Sequence, residues 1–327
     1  DFCAGINPLT VATNIKYSES SDFHFIETTK QRVCNNLTGT KNHRGINNYI
    51  ATEGHVLPTP RSIFANIRKG DYIRRCDLRR AFYQLLLNEE DRKFTAFHCP
   101  ITNTLCRYNV PVFGLSASPS FIFWAVNMLV VSTYYRVLEV AQRFRDTNTS
   151  VAIATADELE RTAKYLCSYV DDIIFHGQAL ECSIVAALLV LEARRFNFEF
   201  DFSKDIFGQK VVVLGAQIDT IALEMRLPPE RAQIYAHKVQ QFVDKHMSSD
   251  RLTPHAWRMR WSEARTDFDS LKGYLNFAAS LSRFGNLLMR DLYDVNENSN
   301  TDTLSRMRDT LLSKWIPELT NVTATGH

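Results

Sequence analysis

The feature that most constrains this chain is a pair of adjacent acids inside an apolar, strand-like segment. Asp171 and Asp172 interrupt the stretch YVDDIIF at residues 169–175, whose other members favour a β-strand. Successive side chains of a strand point to opposite faces, so a straight strand would bury one carboxylate at a cost of several kcal/mol. The pair therefore predicts a hairpin with the acids at its tip. There they either bind a divalent cation or remain solvated in an ordinary β-turn.

A third acid, Asp77, ends a predicted strand at residues 72–77 and precedes a segment, 78–87, with the apolar spacing of a short helix. An aspartate in this place can simply cap that helix. If it instead joins Asp171 and Asp172, the three carboxylates offer the hard oxygen ligands that Mg²⁺ prefers. Two such ions roughly 3.5 to 4 Å apart can activate an attacking hydroxyl and hold a leaving pyrophosphate.

The remaining patterns predict an α+β chain. The first sixty residues are polar and rich in turn formers, which predicts a loop-rich layer. Ser118 followed by Pro119 predicts the start of a long helix, with Phe121, Trp124 and Met128 on its buried face. The same patterns predict strands at 94–97, 105–112, 199–202 and 210–218, and helices at 180–196, 231–243, 257–265 and 268–292.

Composition narrows the class of protein less than these motifs do. The 327 residues carry 38 Lys plus Arg and 36 Asp plus Glu, so net charge gives no argument for nucleic-acid binding. The stretch 226–265 is locally basic, which suits phosphate contacts, although a solvated helix face has the same composition. No uninterrupted apolar run reaches the roughly 18 to 20 residues of a membrane span, and we expect no membrane partner.

Seven cysteines lack any metal-ligand spacing, which favours free thiols in a reducing compartment and predicts a cytoplasmic or nuclear location. The chain starts with Asp1 rather than Met, so we expect a fragment of a longer polypeptide, with further domains of a parent polyprotein as partners.

With these residues in place, the chain resembles a reverse transcriptase, because several segments follow one another in that family's order. The segment DLRRAFYQL, 77–85, resembles the first catalytic motif. The resemblance implies that Asp77 is a metal ligand and that Leu78 belongs to both the metal site and the dNTP site. It makes Phe82 the steric gate whose ring collides with a ribose 2′-hydroxyl. An ordinary core phenylalanine is the alternative for Phe82.

Later segments extend the resemblance. FGLSASPSF, 113–121, resembles the motif beneath the incoming nucleotide, so Phe113 and Gly114 are assigned to the dNTP site. YVDD supplies the remaining catalytic acids and metal ligands, Asp171 and Asp172. Lys204 falls where the family has a lysine near the phosphates that could protonate pyrophosphate, although a surface lysine fits nearly as well.

Two further assignments complete the predicted site. Arg32, in QRVC, resembles the residue that clamps the triphosphate. VLGAQID, 213–219, resembles the primer-grip hairpin, and the resemblance assigns Leu214 and Gly215 to the primer grip.

The resemblance implies a right-hand polymerase with an α+β fold. Its expected parts are an N-terminal extension at 1–24, fingers at 25–76 and 88–110, a palm at 77–87 and 111–225, and a helical thumb with a tail at 226–327. The segment 270–293 resembles the thumb of DIRS-type retrotransposons, which integrate by a tyrosine recombinase.

The implied activity is RNA-directed DNA polymerisation, with dNTPs and an RNA or DNA template–primer duplex as partners. Two Mg²⁺ ions would serve as cofactors, with Mn²⁺ able to substitute. Two alternatives remain: an inactive scaffold of the same ancestry that binds RNA or protein, and another template-dependent polymerase of this fold.

Overall fold

The computed structural model describes residues 9–19, 25–35, 37, 39–40, 43–50, 54, 56–99, 101–248, 253–282 and 285–324. The chain divides into two compact units, Asp1–Pro58 with Ile73–Ile206, and Thr59–Tyr72 with Phe207–His327. The division into fingers, palm and thumb stays a prediction.

The strands of the described residues are β1 (Leu9–Glu19), β2 (Phe25–Asn35), β3 (Gly39–Thr40), β4 (His43–Arg44), β5 (Tyr72–Asp77), β6 (Phe97–His98), β7 (Leu105–Cys106), β8 (Cys167–Tyr169), β9 (Asp172–Gly177), β10 (Ile206–Gly208), β11 (Lys210–Val213), β12 (Ala216–Asp219) and β13 (Glu224–Arg226). The helices are α1 (Pro60–Phe64), α2 (Ser118–Asp146), α3 (Ser150–Lys164), α4 (Ala179–Arg195), α5 (Pro229–His246), α6 (Pro254–Leu281), α7 (Gly285–Tyr293), α8 (Thr301–Asp309) and α9 (Ile316–Ala324), with a π-helical turn at Thr310–Trp315 between the last two.

The prediction of a loop-rich layer over the first sixty residues is wrong for 9–19 and 25–35. Strands β1 and β2 pair antiparallel along their full length, from Leu9 with Asn35 to Glu19 with Phe25. Both strands mix β-branched residues with polar ones, and the β-branched content favours a ladder where the polar residues alone suggested loops.

The sheet that carries the predicted acids has the strand order β10-β5-β9-β8. Residues Ile173, Ile174 and Phe175 of β9 are all fully buried, as is Ile73 of β5. Helices α3 and α4 both pack against β9, and its residues after Asp172 are all buried, so the strand shows no polar alternation. The core of the first unit thus lies directly behind the acids.

Helix α2 begins at Ser118 as predicted, but its buried face is not the predicted one. Phe121, Trp124 and Met128 are 45%, 51% and 63% exposed. The buried side chains lie on another side of the helix, and they include Ile122, Phe123, Val126 and Leu129. Apolar residues cover more than one face of this helix, so the spacing of hydrophobic residues could not identify the side that faces the core.

Five large apolar side chains of α2 repeat at intervals of three and four residues and remain exposed. We call this set the α2 stripe; it consists of Phe121, Trp124, Met128, Val131 and Tyr135.

By length and mean hydropathy alone, helix α2 could cross a membrane; 39% of its most apolar 18-residue stretch is buried within the protein. Polar residues such as Asn127 interrupt its apolar stretch, so the statement about uninterrupted apolar runs is unaffected, and the expectation of no membrane partner stays a prediction. A core helix of a soluble protein meets the same criteria.

Other predicted elements are shorter or longer than expected. The helix predicted at 78–87 is reduced to a 3₁₀ turn, Ala81–Gln84, which follows Arg80 with a φ of +50°. The strand predicted at 199–202 is a single bridge between Phe200 and Leu78. The two helices predicted at 257–265 and 268–292 form one continuous α6 and a separate α7, since nothing at Thr266 or Asp267 ends a helix.

In the second unit, strands β11, β12 and β13 form an antiparallel sheet in that order. Helices α5 to α9 surround a core that includes Trp257, Phe268, Leu275 and Trp315.

Candidate active site

The paired acids lie at the tip of the predicted hairpin, which confirms that local structure. Tyr169 pairs with Asp172 as the last rung between β8 and β9, so Val170 and Asp171 form a two-residue turn. Val170 has a φ of +57°, in the left-handed region that β-branched residues strongly avoid. A residue held there costs of order 1–3 kcal/mol, which the surrounding sheet must offset.

Main-chain hydrogen bonds place the end of β5 beside this turn. The N–H of Leu78 donates to the carbonyl of Asp171 at 3.3 Å, and the N–H of Asp201 donates to the carbonyl of Asp77 at 2.8 Å. The chain around Asp77 is therefore held between the hairpin tip and the segment at 199–201. The side chain of Leu78 is 1% exposed, so this residue can serve a ligand only through its main chain.

Lys204 reaches across to Asp77. Its Nζ lies 2.6 Å from Asp77 Oδ2 and 3.1 Å from Asp201 Oδ2. The hydrogen bond to Asp77 is the main reason that the pKa of Lys204 is raised. The side chain is 45% exposed, yet it is anchored on a predicted catalytic acid, which distinguishes it from a solvated surface lysine. Sequence reasoning missed Asp201, whose spacing of three residues from Lys204 was the available signal.

Arg75 is a second cation of the site that the sequence analysis missed. Its Nε lies 3.7 Å from Asp172 Oδ1, which is an ion-pair distance but too long for a hydrogen bond. The same Nε is buried without a hydrogen-bond partner. Its position two residues before Asp77 on β5 could have indicated the contact, because side chains at i and i+2 lie on the same face of a strand.

The carboxyl of Asp172 is partly buried, and nearby cations offset this burial only in part. Burial is the main reason that its pKa rises to about 6; Asp171 and Asp77 also raise it, while Arg75 and Lys204 lower it. Cations that already touch the acids do not fully compensate this burial. A divalent cation would relieve both the repulsion and the desolvation of the carboxylate.

The predicted nucleotide-site residues of the first unit also meet. The rings of Phe82 and Phe113 contact each other with centroids 5.1 Å apart. Gly114 has a φ of +102°, and its carbonyl accepts a hydrogen bond of 2.7 Å from Asn47 Nδ2. Asn47 Oδ1 in turn accepts from the N–H of Ser116 at 3.0 Å. Asn47 therefore fixes the loop after Phe113, a role that the sequence did not reveal.

The remaining predicted site residues lie elsewhere. The backbone of Arg32 belongs to β2, paired with Ala12, and its side chain lies outside the described residues. Leu214 and Gly215 form the turn between β11 and β12 in the second unit, as the primer-grip resemblance implies for a hairpin.

The donor atoms that the site offers to a metal ion are carboxylate oxygens. Among the described residues, no three Asp, Glu, His or Cys side chains converge as a ready ligand set. Lys204 Nζ instead occupies one oxygen of Asp77. The donors are nevertheless carboxylate oxygens, which Mg²⁺ prefers. Nearby cations do not fully offset the burial of the Asp172 carboxylate. The residues therefore fit a divalent ion that would displace the ammonium group of Lys204 from Asp77.

The family model for reverse transcriptase (RNA-dependent DNA polymerase) matches residues 20–218 of this chain. The chain belongs to the reverse transcriptase family. The matched stretch includes the segments around Asp77, Phe113, Asp171 and Lys204.

Individual relatives are distant. The enzymatic polyprotein of figwort mosaic virus is 28% identical over 182 residues, which is 54% of this chain and 22% of that protein. The corresponding polyprotein of cauliflower mosaic virus, strain Strasbourg, is 25% identical over 181 residues, again 54% and 22%. The chain thus spans about a fifth of the length of these viral polyproteins.

A solved structure of the foamy viral protease-reverse transcriptase in complex with double-stranded DNA is similar in fold, with a TM-score of 0.54 and 15% identity. That similarity covers 93% of this chain and 45% of the viral chain. It supports the predicted α+β fold of right-hand polymerases.

Proposed function

We propose that this chain is the polymerase portion of a reverse transcriptase, which extends a primer with dNTPs along an RNA or DNA template. The observation that carries the proposal is the hydrogen bond from Leu78 N–H to the Asp171 carbonyl, because it brings the strand end bearing Asp77 beside the turn bearing Asp171 and Asp172. The main chain thereby brings three acids from two separate motifs close together in the first unit.

Asp77, Asp171 and Asp172 would hold the metal ions, with the main chain of Leu78 next to them. Two bound Mg²⁺ ions, or Mn²⁺ in their place, would lower the pKa of the primer 3′-hydroxyl and stabilise the pyrophosphate that leaves. Arg75 keeps Asp172 oriented through their ion pair. In the metal-free site, Lys204 balances the charge of Asp77, and its release would leave an ammonium group beside the phosphates.

Phe82 and Phe113 would select the sugar of the incoming nucleotide. Their contact limits the freedom of the Phe82 ring, and a fixed ring excludes a 2′-hydroxyl better than a mobile one. Gly114 would let the backbone approach the nucleotide, and Asn47 holds that loop in place. Arg32 is kept as the proposed triphosphate clamp, and Leu214 with Gly215 as the proposed primer grip.

The same proposal includes an origin in a DIRS-type retrotransposon, a cytoplasmic or nuclear location and further domains in the parent chain. The resemblance of 270–293 to DIRS-type thumbs supports an origin in that class of retrotransposon, and a tyrosine-recombinase reading frame beside the parent gene would test it. Cys76, Cys99, Cys106, Cys167 and Cys182 form no disulfide, which supports a cytoplasmic or nuclear location. The polyprotein relatives support further domains in the parent chain.

The test is primer extension on matched RNA and DNA templates with Mg²⁺, comparing dNTPs with rNTPs. We expect selective dNTP incorporation on RNA by the wild type. Phe82→Ala should accept rNTPs, because the ring that excludes the 2′-hydroxyl is gone. Tyr83→Ala is the matched control, since Tyr83 also contacts Phe113 but is 48% exposed, and its sugar selection should be unchanged.

Asp171→Asn and Asp172→Asn should abolish extension while duplex binding persists. If the wild type binds a primer–template tightly yet extends it with neither Mg²⁺ nor Mn²⁺, the inactive scaffold becomes the better interpretation. Preferential use of rNTPs would instead favour another polymerase of this fold.

A further inference from the structure

The turn between β11 and β12 is shaped around a glycine. Leu214 and Gly215 have φ values of +49° and +83°, the pattern of a two-residue turn with both central residues left-handed. Val213 and Ala216 pair on either side of it. Glycine adopts this conformation without strain, so the backbone alone already favours Gly215.

A second reason for glycine is the space above it. A Cβ placed on Gly215 would lie 2.3 Å from a guanidinium nitrogen of Arg231 and 3.1 Å from the ring of Phe277. Arg231 comes from the first turn of α5, and Phe277 comes from the last turns of α6. The missing side chain of Gly215 therefore leaves room for the guanidinium of Arg231 beside the turn.

Within the described part of the chain, Arg231 has no ion pair with an acid, unlike several other cations of the second unit. Lys245 pairs with Glu263 and Asp267, Lys272 with Asp269, and Lys210 with Asp219. Among the residues that the structure describes, no hydrogen bond or ion pair is recorded for Arg231, and its side chain is exposed. Its planar fork of N–H donors remains open to solvent beside a turn that fixes its position.

We propose that Arg231 binds a single backbone phosphate of the primer–template, and that Gly215 is present to make room for this arginine. The proposal rests on the proposed polymerase function. A guanidinium that is positioned by packing and lacks a carboxylate partner suits a phosphodiester, which it can contact with two parallel hydrogen bonds. Gly215 and Phe277 act here as positioning residues.

The proposal predicts a contact with one particular linkage. Binding would be measured by fluorescence anisotropy with a set of primer–templates, each carrying one uncharged methylphosphonate at a different position. For the wild type, the modification at the linkage that Arg231 contacts should lower affinity roughly ten-fold, as expected for a charge-assisted hydrogen bond. Arg231→Gln should bind the unmodified duplex roughly ten-fold more weakly and should no longer respond to that linkage.

Salt dependence gives an independent measurement. The slope of log affinity against log salt should decrease by about one in Arg231→Gln, because one fewer phosphate is neutralised. Arg231→Lys should recover the slope but only part of the affinity, since it keeps the charge and loses the fork. Arg290→Gln is the matched control, because Arg290 is likewise exposed on a helix of the same unit. This variant should keep the sensitivity of binding to the linkage that Arg231 contacts.

The outcomes separate this inference from the proposed function. If the wild type extends primers but Arg231→Gln remains sensitive to every linkage that affects the wild type, the phosphate contact is wrong and the polymerase assignment stands. If the wild type neither binds nor extends any primer–template, the proposed function itself fails. A lowered melting temperature for Arg231→Gln with an unchanged linkage profile would show that the arginine has only a structural role.

Discussion

The partly buried carboxylate of Asp172 lowers the free energy of unfolding when it is ionised. Its carboxyl has a pKa of about 6 in the folded chain against 3.8 ordinarily, so the folded state binds the extra proton between those two values. The folded state therefore loses stability relative to the unfolded state as pH rises through this window, and the full cost remains above pH 6.

We therefore expect Asp172→Asn to stabilise the metal-free protein at pH 7.5, by up to about 3 kcal/mol, and to have much less effect near pH 4. The measurement is urea unfolding in EDTA at several pH values, with Asp269→Asn as the control, since that carboxylate is more than half exposed and paired with Lys272. A variant less stable than wild type at pH 7.5 would mean that the pairing with Arg75 outweighs burial.

Lys204 gives a prediction about metal affinity. Its ammonium occupies Asp77 Oδ2 at 2.6 Å, so a metal ion must displace it. Lys204→Ala should therefore bind Mn²⁺ more tightly in the absence of nucleotide, by about two- to five-fold, as expected from losing a competing exposed ion pair. Isothermal titration with Mn²⁺ measures this directly. Lys210→Ala, which removes an exposed lysine paired with Asp219, should leave the affinity unchanged. Weaker Mn²⁺ binding by Lys204→Ala would overturn the idea of competition.

At the scale of elements, the hairpin of β8 and β9 stores strain at Val170. Val170→Gly should relieve that strain, and because glycine also loses more chain entropy on folding, the free energy of unfolding should change by less than about 1 kcal/mol. Primer extension should nevertheless slow, because a more flexible turn holds Asp171 and Asp172 less firmly. Stopped-flow single-turnover kinetics beside thermal unfolding would separate the two effects, and a fall in stability without any loss of rate would contradict this account.

The sequence predicted this hairpin well because two adjacent acids in an apolar strand leave few physical solutions. It also predicted β5, α4 and α5 to within a few residues, since each combines clear periodicity with a recognisable boundary. It failed for the buried face of α2, where Trp124 and Phe123 are equally apolar and only tertiary packing decides between them. It also missed Arg75 and Asn47, whose roles depend on partners distant in the chain.

At the scale of the whole molecule, two compact units divide the proposed work. The first carries Asp77, Asp171, Asp172 and the rings of Phe82 and Phe113, and the second carries Gly215 with Arg231. Substitutions in the first unit are expected to change the rate of nucleotide addition, and substitutions around Gly215 are expected to change duplex affinity.

The α2 stripe predicts that the purified protein self-associates. The exposed apolar side chains of this stripe favour self-association at the concentrations used for purification; they are Phe121, Trp124, Met128, Val131 and Tyr135. Trp124→Lys combined with Val131→Glu should reduce self-association in sedimentation experiments, with the melting temperature changed little, since both side chains are more than half exposed. Ile122→Lys, which alters a fully buried neighbour, should unfold the protein instead.

A large fall in melting temperature for the double variant would show that the stripe packs against another part of this same chain. If the melting temperature is unchanged, the exposed apolar side chains of α2 should limit the yield and storage lifetime of preparations. A mild detergent that covers them should then improve both, without changing metal binding at Asp77, Asp171 and Asp172.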